Sequence, residues 1–353
     1  MQLDKSRPGR PSGHSEALRP AEARPPPSRR FVLSGFATAL VAGAPAFWPA
    51  HAGAREFSAA DIYPSDHPTV TAMGQLSEQM AMRTDGRHRV RRLPGQRAHT
   101  ESYLISQVRN GSLDMARVDV ASLASLVPMA NLLALPYLFT SPEHRQRVFD
   151  GEIGAMLMAQ LDARALVGLC FYELGPRCFY GVRPVHAASD LEGLAVRVPR
   201  SGPWVRLVRG LGARPVAMPY EQIYPALKER TVDLAESNWQ SFLASRHNEV
   251  ARYFSLSEHM MTPGIVIFSR RTWDMLSPDE QVALRDAARE SEMYMRGIWN
   301  QQRPGADTAP AGIEIVTDVD RRSFAEATVP LYQEQAATPQ FQKMLQQIRD
   351  LAD

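Results

Sequence analysis

Residues 190–242 decide the architecture of this chain; they read DLEGLAVRVP at 190–199, LGARPVAMPYEQIYPAL at 211–227 and VDLAESNWQSF at 232–242. The first block is a short apolar strand that carries one arginine, Arg197, and stops at Pro199. Strand ends are where α/β proteins place the groups that meet ligands. An arginine there offers a planar fork of donors that matches a carboxylate through two bonds. The segment therefore predicts a site for a small organic acid.

Short apolar strands alternate with amphipathic helices on both sides of this segment, which is typical of an α/β fold. The spacing of apolar residues predicts strands over 57–63, 89–93, 115–120, 166–172, 194–198, 214–217 and 232–236. It predicts long helices over 142–161 and 278–300. We expect the strand at 166–172 to cross between two lobes.

Two segments of the chain resemble one another. The sequence LISQVRNGSLDMARV at 104–118 and the sequence IYPALKERTVDLAES at 223–237 both read as helix, tight turn and strand, with Asp and Ala at matching positions. This similarity predicts two lobes of like construction with a cleft between them. The alternative is a chance likeness between two ordinary helix–strand units.

The N-terminal segment has the composition of a targeting sequence. Residues 1–30 are rich in Pro and Arg, and SRRFVL at 28–33 leads into an apolar run that ends near Trp48. The small residues Ala50 and Ala52 follow at the spacing of a signal peptidase site. We expect residues 1–54 to be a disordered N-terminus and an export signal of the twin-arginine type, and the mature protein to be periplasmic. A transmembrane anchor is the alternative.

The charge of the chain gives no argument for nucleic acid. The full sequence has a net charge of +2. Removal of residues 1–54 would leave 33 basic and 35 acidic residues, so the basic excess belongs to the targeting segment. We expect no nucleic-acid partner.

The two cysteines, Cys170 and Cys178, leave two alternatives open. In an exported protein they could form a disulfide across a turn at 173–176, or Cys170 could be a buried thiol in a strand. Neither cysteine has a partner at the CxxC spacing of a metal site, so we expect no metal and no cofactor.

Catalytic signatures are missing from the sequence. It contains no GxSxG, HExxH, GxxxxGK[ST] or GxGxxG motif, and its nine histidines are scattered. These absences favour a binding protein over an enzyme. Two alternatives remain: a lyase or isomerase of sugar acids that uses Glu101 or Asp119 as its base, and a ligand-sensing subunit that docks on a membrane kinase.

Polar and aromatic residues at the ends of strands and helices are the remaining candidates for function. In the second half of the chain these candidates are Arg177, Arg197, Arg200, Tyr220, Glu236, Asn238 and Trp239. In the first half they are Asp66, His67, Glu101 and Asp119. Each alone has a structural explanation, such as a helix cap or an internal ion pair. Together they predict a site for an anionic polyol, in which arginines hold a carboxylate, acids and amide bind hydroxyls, and the aromatic rings supply apolar contact.

Seven blocks occur in an order that resembles the extracytoplasmic solute-binding proteins of tripartite ATP-independent periplasmic (TRAP) transporters, the DctP-like family. The blocks are DHP at 66–68, GQ at 95–96, GSLDM at 111–115, LPYLF at 135–139, DLEGLAVRVP at 190–199, LGARPVAMPYEQIYPAL at 211–227 and VDLAESNW at 232–239. They extend over essentially the whole chain after the targeting segment.

The resemblance implies two α/β lobes joined by crossing strands and a long lobe-spanning helix, with the ligand held in the cleft. We expect residues 55–174 plus about 262–300 to form the first lobe, and 175–261 plus about 301–353 to form the second. The family's carboxylate-binding arginine falls on Arg197, its second arginine on Arg177 and its aromatic on Tyr220. The implied partners are a small organic acid and the small and large permease subunits, with the binding protein a monomer.

The stretch AESNWQSF at 235–242 resembles the members of the family that bind sugar acids such as glucuronate and galacturonate. The chain departs from the pattern at Leu234, Ser237 and Gln240, where the family has glycine, asparagine and proline. Ser122 stands where sialic-acid binders would carry an arginine, which argues against sialic acid. We therefore expect a uronate-like ligand, with a C4-dicarboxylate or a 2-oxo acid as the alternative.

Overall fold

A computed structural model describes residues 53–93, 100–300, 304–305 and 309–352 of the protein. The predicted signal segment up to residue 52 and the GQ block at 95–96 lie outside the described residues. Within the described ranges, no helix is both long and apolar enough to span a membrane.

Eleven strands occur in the described residues. They are β1 (Arg55–Ala60), β2 (His88–Arg92), β3 (Met115–Asp119), β4 (Leu166–Tyr172), β5 (Arg177–Gly181), β6 (Ala195–Val198), β7 (Arg214–Ala217), β8 (Leu234–Ser237), β9 (Tyr253–Met260), β10 (Gly264–Ser269) and β11 (Glu314–Val316). Most lie within two residues of the strands that the apolar pattern predicts.

The strands form two sheets that share an arrangement of five strands, and the second sheet has β11 as a sixth strand at its edge. The first sheet has the order β2-β1-β3-β10-β4 and the second the order β11-β9-β5-β8-β6-β7. In the first, β1 pairs in parallel with β2 and β3, and β10 then pairs antiparallel with β3. In the second, β6 pairs in parallel with β7 and β8, and β5 then pairs antiparallel with β8. The prediction of two α/β lobes of like construction is therefore confirmed.

The chain crosses between the two sheets at two short connections. Residues 173–176 lead from β4 in the first sheet to β5 in the second, and residues 261–263 lead from β9 back to β10. The expectation that the strand at 166–172 itself crosses between the lobes is therefore wrong. That strand pairs only with β10 of the first sheet, and the crossing follows it.

Thirteen α-helices occur in the described residues. They are α1 (Pro68–Arg83), α2 (Glu101–Asn110), α3 (Met129–Leu133), α4 (Pro142–Asp150), α5 (Glu152–Asp162), α6 (Gly202–Gly210), α7 (Ile223–Lys228), α8 (Trp239–Ala244), α9 (Arg270–Trp273), α10 (Pro278–Asn300), α11 (Arg321–Ala327), α12 (Val329–Gln335) and α13 (Pro339–Asp350).

The helix predicted over 142–161 is two helices, α4 and α5, because the chain bends at Gly151. At Gly154, a Cβ atom would lie 1.8 Å from the carbonyl oxygen of Phe149. The apolar pattern continues through the bend, since both helices pack on the same core, and the pattern alone therefore misses the break.

The long helix α10 was predicted to its last residue. It packs along α1 and β4 of the first lobe. Its end reaches the crossing, where Gln240 of the second lobe lies 3.5 Å from the carbonyl of Trp299 and a Cβ on Gly175 would lie 2.7 Å from the Trp299 indole nitrogen. The helix therefore joins the two lobes at the crossing.

Each sheet is covered by apolar side chains on both faces. The lobe boundaries given above remain a prediction. One element nevertheless departs from them, because Met344, Leu345 and Ile348 of the last helix, α13, belong to the core that contains Val118 of the first sheet. The tail after residue 338 was expected in the second lobe.

Cys170 and Cys178 are both buried and free. The disulfide alternative is therefore corrected in favour of two buried thiols. The two residues lie in β4 and β5, which belong to different sheets, so the turn at 173–176 is a crossing rather than a hairpin.

Candidate functional site

A cleft of about 480 Å³ lies between the two lobes, lined by residues of both. The first lobe contributes Ile62, Tyr63, Thr100, Glu101, Ser102, Asp119 and Ser122. The second contributes Arg177, Arg197, Pro199, Arg200, Trp204, Met218, Pro219 and Tyr220. Six predicted site residues line the cleft: Glu101, Asp119, Arg177, Arg197, Arg200 and Tyr220.

Arg197 is buried in the cleft without a carboxylate partner. Its neighbours Val196 and Val198 in β6 face the opposite side of the sheet, and strand alternation therefore turns Arg197 toward the Tyr220 side. Its Nη2 donates to the carbonyl of Met218 at 2.9 Å, and its Nε has no partner. Burial lowers the pKa of this guanidinium despite the nearby Glu236, because little opposes the cost of desolvating the charge.

Arg177, the second predicted arginine, is already paired. Its Nε and Nη2 donate to the two carboxylate oxygens of Glu236 at 2.6 and 2.8 Å. Although burial alone would raise it, the charge of Arg177 and the nearby His259, whose Nε2 lies 3.6 Å from Glu236 Oε2, bring the pKa of Glu236 down to about 2. Both carboxylate oxygens of Glu236 accept from Arg177 and Glu236 does not line the cleft, so its binding of ligand hydroxyls stays a prediction.

Arg117, which sequence reasoning missed, organises the first-lobe wall of the cleft. It is fully buried, and it donates to both oxygens of Asp61 and to Glu101 at 3.1 Å. Ser122 donates to the other oxygen of Glu101. An arginine and an acid at alternate positions of β3, Arg117 and Asp119, are the sequence signal that could have indicated this network.

Asp119 ends β3 beside the paired groups. Its Oδ1 accepts from the backbone N–H of Ala121 at 3.0 Å, and Oδ2 lies 3.8 Å from Nη1 of Arg177. Burial first, and then the charge of Glu101, raise the pKa of Asp119 to about 7. A group with this pKa can donate or accept a hydrogen bond near neutral pH.

Two tyrosines line the cleft where the lobes meet. The rings of Tyr63 and Tyr220 pack edge to face, with centroids 4.8 Å apart. His67 stacks on Tyr63 at 3.9 Å and His247 lies 5.6 Å from Tyr220. The Tyr220 hydroxyl donates to the carbonyl of Ser241 and shares a hydrogen bond with the Ser245 hydroxyl, and both bonds hold its ring in place. The tyrosine rings therefore offer rigid apolar surface to a ligand.

Arg200 and Trp204 complete the second-lobe wall around the start of α6. Arg200 is exposed at the cleft mouth, whereas Trp204 is 1 % exposed. The indole N–H of Trp204 has no hydrogen-bond partner, and its ring lies 5.1 Å from the Arg177 guanidinium. Trp204 was missed because its apolar helical pattern is that of an ordinary core residue.

Five predicted residues do not line the cleft: Asp66, His67, Glu236, Asn238 and Trp239. Asp66 is exposed, and the buried residue that caps α1 is His67, whose Nε2 lies 3.0 Å from Ser241. Burial lowers the pKa of His67 to about 3, so it is neutral. His67 therefore supports the Tyr63 ring from behind the cleft wall, and Asp66 lies outside the cleft.

Asn238 and Trp239 lie just beyond the cleft, at the end of β8. Asn238 caps α8 through Oδ1, which accepts from Ser241 at 2.9 Å, and its Nδ2 has no partner. Trp239 packs on Phe242 and Phe254 in the second-lobe core. The expectation that Trp239 supplies an apolar wall of the cleft is corrected, because its ring is held in that core. No group of His, Cys, Asp and Glu within the described residues could hold a metal ion.

The sequence matches a family model, and the structure matches solved proteins. Residues 59–338 match the DctP family, bacterial extracellular solute-binding protein, family 7. A TRAP periplasmic solute-binding protein from Bradyrhizobium sp. BTAi1, solved with α/β-D-galacturonate, is 36 % identical with a TM-score of 0.80, covering 84 % of this chain and 100 % of that one.

Two further relatives are also periplasmic binding proteins. A TRAP periplasmic solute-binding protein from Roseobacter denitrificans, solved with β-D-glucuronate, is 31 % identical with a TM-score of 0.79, covering 83 % of this chain and 99 % of that one. The 2,3-diketo-L-gulonate-binding periplasmic protein YiaO of Escherichia coli is 32 % identical over 72 % of this chain and 79 % of its own length. This chain therefore belongs to the DctP family of bacterial extracellular solute-binding proteins, the binding components of TRAP transporters.

Proposed function

We propose that the protein captures a uronate, a six-carbon sugar acid, in the cleft between its lobes and delivers it to a TRAP permease. The observation that carries this proposal is the state of Arg197, a buried guanidinium whose Nε has no partner and which no described carboxylate neutralises. A ligand carboxylate can form the missing charge-assisted bonds, which is the arrangement that buried arginines favour.

The other lining groups suit a polyhydroxylated ligand. Asp119 and Glu101 are oriented acceptors on the first-lobe wall, and Trp204 has an indole N–H without a partner on the opposite wall. One charge-assisted bond contributes only about 1.5–3 kcal/mol net. Micromolar affinity needs about 8 kcal/mol. Hydroxyl bonds and contact with the Tyr220 and Tyr63 rings supply the remainder.

Three observations on related proteins support the ligand class. The Bradyrhizobium protein binds galacturonate, the Roseobacter protein binds glucuronate and YiaO binds 2,3-diketo-L-gulonate. All three ligands are six-carbon acids with several oxygen substituents. At identities of 31–36 % these likenesses favour a ligand of the same class without fixing its stereochemistry.

We further infer that the protein acts without turnover, as a monomer, and hands the ligand to the small and large membrane subunits of the permease. The twin-arginine route exports it to the periplasm, where proteins of this family work. The paired arginines ahead of the apolar run at 31–48 support that route.

The direct test is titration calorimetry of the purified protein with D-galacturonate and D-glucuronate, next to succinate, L-malate and 2-oxoglutarate. We expect one site per chain and micromolar or tighter affinity for at least one uronate. Tighter binding of a C4-dicarboxylate or a 2-oxo acid than of either uronate would overturn the ligand class. Mass action gives the same ranking as shifts in melting temperature.

The enzyme alternative has a separate test. We expect a stoichiometric mixture of protein and uronate, followed by proton NMR, to keep the ligand signals unchanged over many hours. Loss of the uronate signals with appearance of an isomer or an unsaturated product would instead identify a lyase or isomerase with Asp119 or Glu101 as base.

A further inference from the structure

Three arginines are buried around the cleft, and they differ in how their charge is balanced. Arg117 is paired with Asp61 and Glu101, and Arg177 is paired with Glu236. Among the residues the structure describes, Arg197 is the one buried arginine of the cleft that no acid pairs with. The cleft therefore has one buried positive charge to offer a ligand.

The buried acids leave no surplus of positive charge. Asp61, Glu101, Asp119 and Glu236 are all at most 9 % exposed, and as carboxylates they outnumber the three buried arginines. The two nearby histidines, His67 and His259, add no positive charge, because burial lowers the pKa of each. A ligand carboxylate therefore adds negative charge to a region in which buried acids already outnumber buried arginines.

We propose that the cleft selects acids with a single carboxylate and rejects the matching diacids, and that Asp119 and Glu101 are the residues that exclude the second carboxylate. This inference rests on the proposed function and deepens it. It places monoacids such as uronates and aldonates inside the ligand class, and aldarates and C4-dicarboxylates outside it.

The reason is the cost of a second buried charge without a partner. The Nε and Nη2 of Arg177 donate to Glu236, which is 0 % exposed, and its Nη1 lies 3.8 Å from Asp119. A second carboxylate at Arg177 would therefore meet the charge of Asp119 or leave Glu236 as a buried unpaired anion. Arg200 is exposed at the mouth, where water and salt screen it. The first-lobe wall presents acids to the ligand, and burial with the charge of Glu101 already raises the pKa of Asp119 to about 7.

The experiment compares acids that differ only by one terminal carboxylate. D-galactonate and galactarate form a six-carbon pair, and D-erythronate and meso-tartrate form a four-carbon pair; D-galacturonate is added as a direct check of the proposed function. Calorimetry at pH 8, where Asp119 is mostly ionised, gives the affinity of each acid for the wild-type protein.

We expect the monoacid of each pair to bind at least about 30-fold more tightly than its diacid, because juxtaposed like charges are strongly unfavourable. Asp119→Asn keeps an acceptor for the Ala121 N–H while removing the charge. It should reduce the ratio of monoacid affinity to diacid affinity at least about fivefold. Asp279→Asn, the same change at an exposed position of α10 outside the cleft, is the matched control and should leave the ratio unchanged.

Each outcome is decisive. A diacid that binds wild-type protein within about threefold of its monoacid overturns the inference, and it leaves the proposed function standing if D-galacturonate also binds. An Asp119→Asn ratio equal to that of wild type overturns the role of Asp119 even where the preference for monoacids holds. No binding of any of these acids rejects the proposed function and the inference with it.

Discussion

Each lobe buries an arginine beside a tyrosine ring, but acids balance the charge of the arginine only in the first lobe. In the first lobe Arg117 lies 4.4 Å from the centroid of Tyr63 and is neutralised by Asp61 and Glu101. In the second lobe Arg197 lies against a tyrosine in the same way, but it has a backbone carbonyl and no acid. Two acids balance the charge of Arg117, whereas no acid among the described residues pairs with Arg197.

The difference shows how to separate a structural arginine from a binding arginine. Both residues are at most 2 % exposed, so burial does not distinguish them. What distinguishes them is the number of protein acceptors that each guanidinium finds. An arginine that keeps an unpartnered N–H beside a cleft is poised for an external anion, whereas a satisfied one holds the wall in place.

Substitution of Arg117 should have the largest effect. Arg117→Met leaves Asp61 and Glu101 as buried acids without a cation, and we expect a loss of about 3–5 kcal/mol in the free energy of unfolding. Urea unfolding of the unliganded protein measures it. Arg197→Met is the control, and it should change stability little or raise it, because an unpaired buried charge is removed. Equal losses for both variants would contradict the comparison.

Acid should destabilise the protein through the neutral histidines behind the two tyrosines. Burial lowers the pKa of His67 and of His247 to about 3, so the stability that each contributes is present above pH 6.5 and is lost as the pH falls toward 3. We expect each to account for roughly 2 kcal/mol between pH 6.5 and 4.5. Asp119 acts in the opposite sense, since its raised pKa favours the protonated acid.

Urea unfolding at pH 6.5, 5.5 and 4.5 checks this expectation. His67→Gln in the first lobe and His247→Gln in the second should each make stability less dependent on pH than in wild type. The difference between each variant and wild type cancels the contribution of Asp119. A variant with the wild-type pH dependence would show that its histidine is not the group that takes up the proton.

Arg197→Lys should weaken ligand binding although the charge is kept. A lysine cannot present the planar fork, and we expect about a 30-fold to 100-fold loss of affinity for the cognate uronate. Calorimetry measures the affinity. Arg200→Lys at the exposed mouth is the matched control, and its affinity should stay within about threefold of wild type. Loss of affinity in the Arg200 variant alone would move the carboxylate anchor to the mouth.

Trp204→Phe should have the smallest effect. The phenyl ring keeps most of the packing against Arg177 but lacks the indole N–H, which has no partner without a ligand. We expect about a fivefold loss of affinity and no loss of stability, because one neutral hydrogen bond to the ligand disappears. A loss of stability with unchanged affinity would give Trp204 a purely structural role.

Sequence reasoning predicted seven of the eleven described strands and the full length of the long helix, because apolar periodicity and capping residues are local signals. It failed where one apolar pattern fits two different structures. The bend at Gly151 leaves the apolar face unbroken, and the crossing after Tyr172 looks like the end of any strand. The bend depends on how two helices turn on one core, and the crossing depends on which sheet the next strand joins. A local pattern contains neither.

The site was predicted in composition but not in pairing. Six of the predicted residues line the cleft, since strand ends and loops between lobes are where such residues gather. The sequence could not tell that Glu236 belongs to Arg177, or that Arg117 rather than Arg197 meets the first-lobe acids. These pairings join residues 16–59 positions apart in the chain, and only the packed structure decides them.

The most direct measurement is a crystal structure of the protein with D-galacturonate or D-glucuronate bound. The account predicts that the ligand carboxylate accepts from the guanidinium of Arg197, including the Nε that has no partner in the protein, while Arg177 keeps its bonds to Glu236. A carboxylate bound instead by Arg177 or Arg200, with Arg197 left only on the Met218 carbonyl, would contradict it.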